Sequence, residues 1–260
     1  MAARLALPLG MVTIVGLAMP FFEKAFVAKY LAFQDLSLLA AASKVGMIFA
    51  LPLQAFQMAW GPLSLATSKD KNPQSFYDLV VKLYLGLGSI LLFSLVVSGG
   101  YALSILASTE YERAWSMIPL SIAVVYLRGL VNFLGLGSII SFKTSIKLWS
   151  SLVSILVFFA TVNIWLSCLG VFGILLATIS AVLSSLLVEA YMSHKASAVS
   201  WPYKIIILSS FSVILFVLLS TYLIHNNMLD TLYLISLVAV LITSVVVCRV
   251  IQSSRKNIAA

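Results

Sequence analysis

Charge is what this sequence has least of. Asp, Glu, Lys and Arg make up 9% of its 260 residues, while 62% are hydrophobic. No soluble domain of that length has an interior large enough to hide so much apolar surface, so a soluble fold is excluded and an integral membrane protein is expected. Acids are scarcer still, 8 against 16 Lys plus Arg. There are no paired intramembrane carboxylates and no nucleotide loop of Gly-x-x-x-x-Gly-Lys type. His and Cys do not cluster, so neither an enzyme site nor a cofactor or metal centre is expected. His194 and His225 stand at membrane edges without a second ligand at metal spacing, as ordinary interfacial histidines do. Cys168 and Cys248 sit in or beside apolar runs, which predicts two packed thiols rather than a disulfide. The net charge of +8 would point to nucleic acid in a soluble protein. A basic surface interleaved with aromatics is missing, so no nucleic-acid partner is expected.

What is there is a succession of long apolar runs. They predict an all-α polytopic fold of eight transmembrane helices, at about 5–22, 36–66, 79–106, 114–138, 146–165, 171–191, 205–224 and 229–251. The first run is followed by Phe21-Phe22-Glu23-Lys24, a poor cleavage site, and is therefore read as a span rather than a signal peptide. Glu23 and Lys24 are then expected to form an exposed loop pair. Gly99-Gly100 is expected to interrupt the third span, and Pro52 to bend the second.

Orientation follows from the sixteen cations. With the N-terminus cytoplasmic, that side holds Arg4, Lys69, Lys71, Lys82, Lys143, Lys147, Lys195, Lys204, Arg249, Arg255 and Lys256. Lys24, Lys29 and Arg113 fall outside, and Lys44 and Arg128 inside the membrane. This bias predicts an even number of spans with both termini cytoplasmic.

The candidate substrate-binding residues are Lys44, Gln54, Gln57, Arg128 and Asn132. Lys44 lies in the stretch 43–62, SKVGMIFALPLQAFQMAWGP, which also carries Gln54, Gln57 and Pro52. A lysine among lipid tails costs roughly 2.5–3.5 kcal/mol on insertion scales, so it either snorkels to the outer interface or faces a cavity. The glutamines and the proline continue a polar theme down the helix and favour the cavity. Arg128 lies deeper in the fourth span, with Ser121, Asn132 and Gly135 near the same face. No acid stands at similar depth in its own helix. It is either a structural ion pair or a cation awaiting an anion, and it and Lys44 are expected to share one pocket. Glu189, the one acid clearly within a span, is expected to pair with Lys195 or lie at the interface, with ion coupling as the alternative.

Several short motifs in order resemble the C-terminal half of bacterial polysaccharide flippases. These are the O-antigen and exopolysaccharide transporters of the multidrug/oligosaccharidyl-lipid/polysaccharide exporter superfamily. The motifs are Ser43-Lys44, then Ala55-Phe56-Gln57-Met58-Ala59-Trp60-Gly61-Pro62, Tyr111-Glu112-Arg113-Ala114, Phe142-Lys143-Thr144, Asn163, and Gly170-Val171-Phe172-Gly173-Ile174-Leu175-Leu176-Ala177-Thr178. The resemblance covers about 22–195. It implies a six-helix lobe at 1–195, with 196–260 matching the extra helix pair of fourteen-span members. It further implies translocation of an undecaprenyl-diphosphate-linked oligosaccharide across the bacterial inner membrane, for lipopolysaccharide O-antigen or related surface polysaccharide. The partners it implies are that substrate, membrane lipids and polysaccharide polymerases or glycosyltransferases. Such transporters enclose a cavity between two lobes, so a separate N-terminal lobe or a second copy is expected to complete this one. The alternatives are a multidrug extruder of the same superfamily and a non-transporting scaffold for polysaccharide assembly. A membrane glycosyltransferase ranks lowest, since it would need an acidic or metal-binding loop.

Overall fold

A computed structural model describes residues 2–68, 73–106, 109–141, 143, 145–196, 199 and 201–259. The loop residues 69–72, Phe142 and Thr144, and the side chains of Arg4, Cys248, Arg255 and Lys256, lie outside what is described. The described chain is helical: α1 Ala2–Tyr30, α2 Phe33–Thr67, α3 Pro73–Leu106, a 3₁₀ segment Thr109–Met117, α4 Ile118–Leu134, α5 Leu136–Ile140, α6 Ser145–Leu169, α7 Val171–Ala196, α8 Tyr203–His225 and α9 Leu229–Ala259. Eight of the helical stretches are long and apolar enough to cross a membrane, α4 and α5 counting together as Tyr111–Ile140. A bilayer core supplies no water for backbone groups, so apolar runs of this length satisfy their N–H and C=O groups as helices. The chain is an all-α, multi-pass membrane protein.

Two compact units emerge, and each draws on distant parts of the sequence. The first combines Met1–Ala40 with Leu127–Ser200, the second Ala41–Tyr126 with Trp201–Ala260.

In the first unit α6 and α7 form a tight antiparallel hairpin, with α1 laid against both. The hairpin turns on a single residue, Gly170, whose φ of +56° suits glycine because a Cβ would crowd the following carbonyl. Its N–H closes α6 by donating to Leu166 O at 2.9 Å. A Cβ on Gly173 would fall onto the Trp165 carbonyl, so glycine there lets the two helices start in contact. The fifth span consequently runs to Leu169, further than the apolar pattern indicates. α1 docks through aromatic edges, Phe22 on Phe159 at 5.1 Å and Phe26 on Phe158 at 5.9 Å between ring centroids. Edge-to-face pairs of this kind add to the area they bury.

In the second unit α9 packs chiefly along α3, where Gly86 leaves room for Val247. Tyr84 stacks on Tyr126 at 5.6 Å, and its hydroxyl donates to Tyr126 O at 2.8 Å. α3 is not interrupted at Gly99-Gly100. The pair instead forms a flat seat for Trp115, whose ring would lie 2.8 Å from a Cβ on Gly100 and whose Nε1 donates to Val96 O at 3.3 Å. α2 likewise continues through Pro52 and Pro62.

Candidate functional site

Within the first unit, four helices line a cavity of about 230 Å³. Each contributes one face at helical spacing. α1 supplies Val12, Val15, Gly16 and Met19, and α4 supplies Arg128, Val131 and Asn132. α6 supplies Lys147, Ser150, Ser151, Ser154 and Ile155, and α7 supplies Val182, Ser185 and Glu189. Apolar residues therefore close one wall, from α1, while charge and hydroxyls come from α4, α6 and α7.

Arg128 and Asn132 are the two expected site residues that this cavity contains. Lys44, Gln54 and Gln57 belong to the second unit, on α2, with Lys44 and Gln54 exposed and Gln57 half-buried. Arg128 is not a bare cation. Its Nη2 lies 3.8 Å from Glu23 Oε1, and the two side chains are 39% and 12% exposed. The same oxygen accepts a hydrogen bond from Thr178 Oγ1 at 3.0 Å. Glu23 is therefore no loop residue. α1 continues to Tyr30, because nothing in 21–30 breaks a helix, and carries the acid inward where Arg128 and Thr178 offset its desolvation.

A second acid and cation lie near each other. Glu189 is 1% exposed, and its carboxylate and the Lys147 side chain of α6 flank the same spot beside Gly135, in place of the expected pairing with Lys195 or the interface. Ser138 Oγ shares its one proton between Gly135 O at 2.6 Å and Glu189 Oε1 at 3.3 Å, while Glu189 Oε2 is buried without a hydrogen bond. Gly135 makes this packing possible. A Cβ there would stand 2.6 Å from Glu189 Oε1 and 3.0 Å from Lys147 Cε. The chain also departs from regular helix at Gly135, between α4 and α5, which brings Ser138 to the carboxylate.

Lys147 was expected at the cytoplasmic edge, and Ser150, Ser151 and Ser154 had no expected role. Their signal is present, since 147, 150, 151 and 154 follow the i, i+3, i+4, i+7 spacing of one helix face. Ser150 and Ser151 both approach Lys147 O, at 3.0 and 2.8 Å, and the Ser150 hydroxyl also reaches the Glu189 carboxylate. The cations lining the cavity are Arg128 and Lys147, and Glu189 lines it with them, while Glu23 meets Arg128 from outside the lining. Among the described residues no group of three His, Cys, Asp or Glu is placed to hold a metal ion.

Fold and site together define a polytopic all-α membrane protein with a charged, hydroxyl-lined cavity inside one of its two units. No family model, curated protein or solved structure matches the chain.

Proposed function

We propose that this chain is a flippase subunit or fragment that carries the anionic linkage of a lipid-linked oligosaccharide across the inner membrane. The observation that carries the proposal is the pair of cations, Arg128 and Lys147, lining one cavity built from membrane-spanning helices. A cation well inside a spanning helix, as Arg128 is, is costly unless it is paired or in use, and such cations mark candidate substrate paths. The planar fork of Arg128 can grip phosphate oxygens in bidentate fashion, with Lys147 adding a point charge. A volume of about 230 Å³ suits a diphosphate and part of its first sugar, not a whole oligosaccharide. The sugar chain would then travel outside this cavity, with the second lobe or copy enclosing it.

In a flippase-deficient strain supplied with the complete transporter, Arg128→Ala and Lys147→Ala are each expected to abolish surface polysaccharide at unchanged membrane protein level. Normal polysaccharide from both variants would end the proposal. A second reading is extrusion of cationic compounds by a transporter of the same superfamily, favoured by the burial of Glu189 at the cavity wall. It predicts instead that Glu189→Gln abolishes drug resistance while Arg128→Ala spares it.

A further inference from the structure

The site proposed to bind an anion already holds one of its own. We infer that Glu23 is a built-in competitor for Arg128: its carboxylate holds the guanidinium when no substrate is bound, and the substrate's anionic group displaces it. The inference rests on the reading of the cavity as an anion site.

Three features of the contact support displacement over a permanent structural pair. The first is distance, since the Arg128–Glu23 separation of 3.8 Å is longer than the 2.7–2.9 Å of a strong charge-assisted bond. The second is stoichiometry. One carboxylate oxygen meets one guanidinium nitrogen, and among the described residues Glu23 is the one acid within 4.0 Å of Arg128. An arginine has five donors, so most of this fork stays available to phosphate oxygens on the cavity side. The third is asymmetry, because the Arg128 side chain is 39% exposed and that of Glu23 12%. The cation is presented to the cavity and the acid stands behind it.

Thr178 explains how the acid can let go. Its Oγ1 lies 3.0 Å from Glu23 Oε1, the same oxygen that meets Arg128, and 3.0 Å from Ile174 O, so its one proton is free to serve the carboxylate once Arg128 has left. When Arg128 turns toward a phosphate, Glu23 keeps a hydrogen-bond donor. The cation is neutralised in both conditions, first by Glu23 and then by the ligand. A transport site must also release what it binds. A resident carboxylate beside the bound anion weakens the complex and so speeds release.

The test uses the purified full chain in lipid nanodiscs, with inorganic pyrophosphate as the probe in isothermal titration calorimetry. Glu23→Gln is expected to tighten pyrophosphate binding about tenfold. Glu23→Asp, which retracts the charge by one methylene, is expected to fall between wild type and Glu23→Gln, and it serves where Glu23→Gln yields too little protein. Arg128→Gln should lose binding, and the double variant Glu23→Gln/Arg128→Gln should show no gain, because the competitor acts only through the arginine. Glu23→Gln should also melt lower than wild type without ligand yet gain more from pyrophosphate. A merely structural glutamate would lower the melting point without tightening binding. If Arg128→Gln loses binding but neither Glu23 variant binds more tightly, the competitor is refuted and the anion site stands. If wild type does not bind pyrophosphate, or Arg128→Gln binds it equally well, the anion site fails and the competitor with it.

Discussion

Glu23, Arg128, Lys147 and Glu189 come from four helices, and the apolar neighbours of each say little about which side chain it will meet. Arg128 is legible in the sequence because a cation deep in an apolar run is costly wherever it lies. Its partner is not, because Glu23 lies 105 positions earlier, at what the hydropathy pattern presents as the end of a span. Glu189 is legible as an acid within a span, but its burial beside Lys147 and not Lys195 depends on how α6 folds back onto α7. Thr178 ties the first of these pairs together. Thr178→Val keeps the side chain's shape and removes the donor to Glu23, and a hydrogen bond between membrane helices is worth about 1 kcal/mol. The variant is expected to be less stable by about that free energy in a denaturant titration. Unchanged stability would mean that Glu23 needs no hydroxyl to stay at depth.

At the scale of elements, glycines decide where helices meet, for two different reasons. Gly170 ends α6 in a left-handed conformation that costs an ordinary residue about 1–2 kcal/mol. Gly173 has ordinary backbone angles but sits where a Cβ would fall on the Trp165 carbonyl. Gly170→Ala is therefore expected to cost about 1–2 kcal/mol, and Gly173→Ala about 3 kcal/mol, since backbone cannot step aside as a side chain can. Thermal unfolding followed by circular dichroism measures both, and the reverse order would contradict the hairpin geometry. Gly99-Gly100 carries the complementary lesson. A glycine pair in an apolar run suggests a break, yet α3 continues through it and the bare backbone receives the Trp115 ring. The same two residues serve either purpose, and only the presence of the tryptophan distinguishes them.

For the whole molecule, the bias of cations across alternating loops predicts sidedness. Reporter fusions at Ser68, Ser145, Ala196 and Ala260 are expected to read cytoplasmic, and fusions at Ala32, Thr109 and Asn227 external. An external signal at Ala260 together with a cytoplasmic one at Asn227 would reverse the orientation. The eight helical stretches and the all-α class were determined by the sequence alone. Apolar runs of twenty or more residues have few alternatives in a bilayer, where every backbone group must be satisfied within its own segment. Hydropathy, however, carries no information on which helix lies beside which. Only the tertiary structure decided that 1–40 gathers with 127–200, and 41–126 with 201–260. The same step set Glu23 against Arg128 and Lys147 beside Glu189, because a charge inside a membrane pairs with what packing brings within a few ångströms, however distant in the chain.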